Sequence, residues 1–144
     1  MAPPVILIVE DNPDDETLCI RAFREARLAN PIAVVHDGPA ALDFLYRRGE
    51  HAGRTDGQPQ LVLLDLKLPK LSGLDVLARV RQDRAFDGVP IVVFTSSDDD
   101  REVRQAYLLG ANSYVRKPVD FDDFRRAVAE VGLYWTVTNL VPDS

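Results

Sequence analysis

Four residue types with phosphate or metal chemistry recur at one kind of position in this chain, immediately after a short apolar run. VILIV (5–9) is followed by Glu10 and Asp11; LVLL (61–64) by Asp65; PIVVF (90–94) by Thr95; and SYV (113–115) leads to Arg116, Lys117 and Pro118. Burying an ionised carboxylate such as Asp65 behind a run of Leu and Val is costly unless something holds its charge. Three carboxylates sharing a small pocket also repel one another. One lysine offsets one of those charges, and a hard divalent cation bound through oxygen offsets the rest. Magnesium fits best, because one or two carboxylates commonly hold it while it keeps several waters. A pocket with a carboxylate, a cation, an amine and a hydroxyl suits a phosphoryl group. Asp65 is then the nucleophile, with Lys117 and Thr95 on the phosphoryl oxygens.

Such a pocket requires the strand ends to meet. Five apolar runs occur, the four above and IAVVH (32–36), and stretches of helical spacing separate them. The first helix opens at Asn12-Pro13, a capping residue followed by proline at the first helical position. Asp14, Asp15 and Glu16 follow in the turn that the helix dipole favours for acids. Its apolar side carries Leu18, Cys19, Ala22, Phe23 and Ala26. The second helix runs from about Pro39 to Gly49. The third begins after Ser72-Gly73, and the fourth follows Asp98-Asp99-Asp100 with Val103, Tyr107 and Leu108 as its apolar residues. The fifth follows Pro118 with Phe121, Phe124, Val128, Val131 and Trp135. Strand then helix, five times over, predicts an α/β fold with a five-stranded parallel sheet covered on both faces. In strand order 2-1-3-4-5 the C-terminal strand ends lie on one edge and ligands bind where the order reverses, between the first and third strands. That gathers Glu10, Asp11, Asp65, Thr95 and Lys117 into one pocket. The polar, glycine-rich stretch 47–59 reads as an exposed insertion.

The bulk properties narrow the class. The chain has 144 residues, 46% hydrophobic and 28% charged, which suits one soluble globular domain. A net charge of −6 argues against a nucleic-acid surface and against docking on anionic lipid. The single cysteine, Cys19, excludes an intrachain disulfide and suits a cytoplasmic setting. No segment has the length of a membrane span. Cys19 lies on an apolar helix side and reads as packing. Neither His36 nor His51 falls on a predicted helix, as a phosphotransfer histidine would.

Together Glu10-Asp11, Asp65 with LPKLSG after it, Thr95-Ser96 and Lys117-Pro118 resemble the receiver domain of two-component response regulators, a flavodoxin-like fold, over nearly the whole chain. The resemblance implies that Asp65 accepts a phosphoryl group from a histidine kinase. It implies that Asp11 binds magnesium directly, Glu10 through water, and Lys67 through its main-chain carbonyl. It also implies a cis Lys117–Pro118 bond and a switch role for Tyr114, whose rotamer follows the phosphorylation of Asp65 and changes the face formed by the fourth helix, fifth strand and fifth helix. Glu10 stands where aspartate is commonest. Lys67 is an additional cation beside the site, able to pair with Glu10 or to tune phosphate lifetime.

Within the family the chain is similar to stand-alone regulators that partner bacterial phytochrome kinases, from VEDNPDD, the 47–59 loop and the terminal LYWTVTNL (133–140). In that reading residues 132–144 are a tail, and Leu133, Tyr134, Trp135, Val137 and Leu140 pair two chains as a homodimer. With no output domain following, the signal leaves by contact with an effector or by passing the phosphate on.

Three rivals are weaker. A dehalogenase-type phosphatase wants a second aspartate where Lys67 stands. A flavodoxin-like phosphate binder is opposed by the acidic EDNPDD loop. A degenerate receiver, acting only as a binding module, is opposed by the intact site residues.

Overall fold

The computed structural model describes residues 3–140. Five parallel strands, β1 (Ile6–Val9), β2 (Ile32–Val35), β3 (Leu61–Leu64), β4 (Ile91–Thr95) and β5 (Ser113–Arg116), form one sheet in the order β2-β1-β3-β4-β5. The expected topology is therefore observed. Five α-helices connect and cover the strands: α1 (Pro13–Glu25), α2 (Gly38–Tyr46), α3 (Gly73–Arg81), α4 (Asp100–Leu108) and α5 (Phe121–Leu133).

The central strands carry apolar residues at every position because both of their faces are covered. Ile6, Ile8, Leu61, Leu63, Val92 and Phe94 point to one side, where they pack with Cys19 and Phe23 of α1 and Phe124 and Val128 of α5. Leu7, Val9, Val62, Leu64 and Val93 point to the other, against Leu42 and Leu45 of α2, Val76, Leu77 and Val80 of α3 and Ala106 of α4. Each fully buried aliphatic side chain contributes about 1.5–3 kcal/mol. The edge strands β2 and β5 are only partly buried.

Helix starts follow the local sequence. Asn12 caps α1, its side chain accepting from the N–H groups of Asp14 and Asp15 at 2.9 and 3.1 Å. Ser72 caps α3, accepting from the Asp75 N–H. The glycine after Ser72 is required by a close approach: a Cβ on Gly73 would lie 2.2 Å from the Asp65 carbonyl oxygen. The start of α3 is thus seated directly on the backbone of the β3 strand end.

Three expectations are corrected. Tyr107 and Leu108 do not face the core; they are exposed, and α4 buries only Ala106. A small residue there lets the helix lie close to the sheet, which turns its larger apolar side chains outward. Phe121, the first residue of α5, is 63% exposed and lines a surface groove with Pro118 and Val119. The insertion 47–59 is mostly exposed, as expected, with one anchor to the fold. A single 3-10 turn (Gly49–His51) leads to Arg54, whose guanidinium carbon sits 3.7 Å from the centroid of the Phe44 ring. Finally, no cis peptide bond occurs among the described residues, so Lys117–Pro118 is trans, the form that X–Pro bonds ordinarily prefer.

After α5 the chain continues as a π-helical turn, Tyr134–Thr138. Its Thr136 carbonyl accepts from Gln60 Nε2 at 2.9 Å, which ties the C-terminal segment to the start of β3. Leu133, Tyr134, Val137 and Leu140 are exposed there and Trp135 is half-buried. Residues 141–144 of the expected tail lie outside the described residues.

Candidate functional site

The polar strand ends do converge. Glu10 follows β1 and Asp65 follows β3, adjacent strands paired through Val9 and Leu64. Thr95 ends β4 and Lys117 follows β5, with the Lys117 N–H donating to the Thr95 carbonyl at 2.7 Å. All four side chains are nearly inaccessible: Glu10 3%, Asp65 7%, Thr95 0% and Lys117 9% exposed.

The Lys117 ammonium is the hub. Nζ donates to Glu10 Oε1 at 2.6 Å, to Asp15 Oδ2 at 2.8 Å and to Asp65 Oδ2 at 2.9 Å. A trans peptide bond to Pro118 is compatible with this reach. Asp65 Oδ1 accepts from the Lys67 N–H at 3.3 Å, and Glu10 Oε2 accepts from the Asn12 N–H at 3.1 Å.

Electrostatics follow from crowding at low dielectric. Burial pushes the Glu10 carboxyl up from its ordinary value near 4.5 to about 7; the neighbouring Asp65 charge adds to the rise, while the Lys117 bond opposes it. Burial alone would lower the Lys117 ammonium, but its bonds to Asp15, Glu10 and Asp65 outweigh burial and raise it above the ordinary lysine range.

Two features point to groups beyond the chain itself. Carboxylate oxygens of Glu10, Asp11 and Asp65 lie within 4.8 Å of one another, with Asp11 open to solvent. Hard oxygens so grouped, beside a solvent-facing position that leaves room for waters, fit a divalent cation. The Thr95 hydroxyl is fully buried and finds no hydrogen-bond partner among the described residues. Buried hydroxyls are nearly always paired, so an orphan at a site of this kind marks a position for an acceptor from outside. A phosphoryl oxygen is such an acceptor.

The remaining expected residues fall as follows. Lys67 is exposed, and its side chain makes no ion pair among the described residues; of its two candidate roles, the pair with Glu10 is taken instead by Lys117, which is buried against that carboxylate. Tyr114 is half-buried, and its hydroxyl donates to the Ser97 carbonyl at 2.8 Å, linking β5 to the loop after Thr95. Cys19 is buried and burial raises its thiol, in keeping with a packing role. Asp15 is the residue that sequence reasoning missed. It looks like its neighbour Asp14, an acid at a helix start, and only its contact with Lys117 separates the two.

The family model of the response regulator receiver domain matches residues 6–129. The chain belongs to the response regulator receiver family. This receiver is 41% identical over 140 residues to the probable methanogenesis regulatory protein FilR2 of Methanothrix harundinacea, covering 97% of this chain and 88% of that one. It is 34% identical over 140 residues to response regulator Rcp1 of Synechocystis sp., covering 97% and 94%. Among solved structures it is similar to the Mn2+-bound form of Rcp1, with TM-score 0.90, 33% identity and coverage of 98% and 100%. The phosphorylated cyanobacterial phytochrome response regulator RcpA superposes with TM-score 0.92 at 31% identity, covering 99% and 100%. The bacteriophytochrome response regulator RtBRR gives TM-score 0.78 at 44% identity, covering 97% and 84%. The narrower likeness to phytochrome-linked regulators therefore holds alongside the family. No helix among the described residues is long and apolar enough to cross a membrane.

Proposed function

We propose that this receiver takes a phosphoryl group from the phosphohistidine of a sensor histidine kinase, a phytochrome-type kinase by its likeness, onto Asp65. The observation that carries this reading is the buried, unpartnered Thr95 hydroxyl beside the Asp65–Lys117 pair. A carboxylate oxygen of Asp65 attacks phosphorus, the P–N bond breaks, and the histidine leaves with that electron pair. Lys117 shifts from Asp65 to a phosphoryl oxygen, and Thr95 donates to another. Asp11, Asp65 and the Lys67 carbonyl, with Glu10 beside them, would hold a magnesium ion, which would supply positive charge to offset that of the phosphoryl oxygens. The chain is a phosphoacceptor in this reaction and catalyses nothing beyond its own phosphorylation and dephosphorylation.

The response runs through the β4–α4 loop. Thr95 drawn toward the phosphoryl group moves the loop whose Ser97 carbonyl holds Tyr114, and the α4-β5-α5 surface changes with it. Moving such a two-state surface from 1:99 to 99:1 takes about 5.5 kcal/mol. Charge-assisted hydrogen bonds of about 1.5–3 kcal/mol each from Lys117 and Thr95 supply much of that. The exposed Leu133, Tyr134, Val137 and Leu140, with Trp135 beneath them, form the surface through which two chains pair. A monomer by sedimentation at high micromolar concentration, with and without a phosphoryl analogue, removes that part of the reading.

The deciding experiment is intact-mass spectrometry after incubation with magnesium and a small acyl-phosphate donor. One phosphoryl mass is expected on the wild type, and none on Asp65→Asn or without magnesium. No gain on the folded wild type, from that donor and from a phosphorylated kinase alike, overturns the assignment and leaves a receiver fold that acts by binding alone.

A further inference from the structure

Three carboxylates share the Lys117 ammonium, and one of them belongs to no strand end. Asp15 lies in the first turn of α1, yet its Oδ2 accepts from Lys117 Nζ at 2.8 Å. The helix does not need that carboxylate as a cap, since Asn12 already serves the N–H groups of Asp14 and Asp15. Asp14 next to it is exposed and makes no ion pair among the described residues.

We propose that Asp15 acts through Lys117, competing with the phosphoacceptor for its ammonium, and thereby limits how readily the site takes a phosphoryl group. This rests on the reading of Asp65 given above. A lysine ammonium has three N–H donors. All three are engaged, by Glu10, Asp15 and Asp65. Holding a phosphoryl oxygen requires Lys117 to redirect at least one of them. Glu10 is poorly placed to yield: it is 3% exposed, and its other oxygen is held by the Asn12 N–H. Asp15, with 24% of its side chain exposed at the cleft mouth, persists as a rival for the ammonium. It also adds negative charge beside the place where a phosphoryl group with two negative charges must settle. Positioning of Lys117 does not depend on it, because Glu10 holds the same ammonium at 2.6 Å from the buried side. Asp15 therefore opposes phosphoryl binding rather than supporting it.

The test is a 19F NMR titration of the magnesium-loaded protein with beryllofluoride, an unreactive phosphoryl mimic. Removing one partly exposed charge from an ion pair is expected to tighten binding by about threefold to tenfold in Asp15→Asn. Asp15→Glu, which keeps the charge, stays near the wild type, and Asp65→Asn shows no bound signal. A purely structural contact predicts the opposite sign, a looser lysine and weaker binding. Equal or weaker binding by Asp15→Asn therefore overturns the proposal. Asp15→Ser carries the same expectation should the Asn variant fold poorly. Failure of the underlying reading is separately visible as absence of bound beryllofluoride on the wild type, which overturns both.

Discussion

The two ends of this sheet bury polar side chains to a similar depth and treat them in opposite ways. At the amino edge, Asn30 is 6% exposed and neutral. Its Nδ2 donates to the Pro4 carbonyl and to Gln60 Oε1, both at 2.8 Å, and Gln60 Nε2 reaches the Thr136 carbonyl. That network carries no charge and joins the starts of β1 and β3 to the C-terminal segment. At the carboxyl edge, three carboxylates meet one ammonium, a fourth carboxylate stands beside them, and a buried hydroxyl has no partner. A satisfied neutral network stabilises the fold. An overcharged, incompletely paired one raises its free energy, and in the proposed function a cation and a phosphoryl group relieve it.

Removing the ammonium is the harshest way to break the contrast. Lys117→Met leaves Glu10 and Asp65 buried and facing each other, and breaking a buried pair in this way costs about 3–5 kcal/mol. Urea denaturation of the metal-free protein above pH 7 is expected to show that loss, and added magnesium to recover a large share of it. An unchanged midpoint would mean that the carboxyl edge is as relaxed as the amino edge.

A gentler probe is pH. The Glu10 pKa is raised in the folded chain, so the folded state holds its proton more tightly than the unfolded state does. Its stabilising effect is fully present below about pH 4.5 and is lost as pH rises to about 7, by up to about 3 kcal/mol at 1.36 kcal/mol per unit. Magnesium should flatten the profile at its upper end by supplying the missing positive charge. A metal-free profile with no such decline would contradict the account of Glu10.

The smallest effect belongs to the opposite edge. Asn30→Ala removes the donor that serves the Pro4 carbonyl and Gln60 Oε1, neither of them fully buried, and is expected to cost about 0.5–1.5 kcal/mol. That cost should be independent of pH and magnesium, and mass spectrometry should find phosphoryl acceptance unaltered. Sensitivity to magnesium would show that the two edges are coupled.

Much of the carboxyl edge is legible from one dimension because strand ends are. Short runs such as LVLL and IVVF have the length and composition of buried parallel strands. In a sheet of this order the residue after each run has one place to go, so sequence position alone gathers Glu10, Asp65, Thr95 and Lys117. Helix starts are legible for a similar reason: Asn12-Pro13 and Ser72-Gly73 act on backbone groups a few residues away. The amino-edge network is not legible in the sequence, since Asn30, Gln60 and Thr136 meet only once three distant segments have folded.

Rotation of each helix about its own axis was decided by tertiary packing alone. Asp14 and Asp15 are equivalent to the helix dipole, and the seating of α1 against the sheet turns only Asp15 onto Lys117. In α4 Tyr107 and Leu108 looked like core, but close packing is satisfied by Ala106 and leaves them in solvent. Lys67 and Lys117 both offered a positive charge to Glu10, and burial on the neighbouring carboxylates selected Lys117. Local sequence thus determined which elements form, which ends they present and which residue types stand there, because those choices rest on backbone hydrogen bonds and short apolar periods. Which of several like residues makes the decisive contact depended on how finished elements pack, since that choice rests on shape and charge contributed by other parts of the chain.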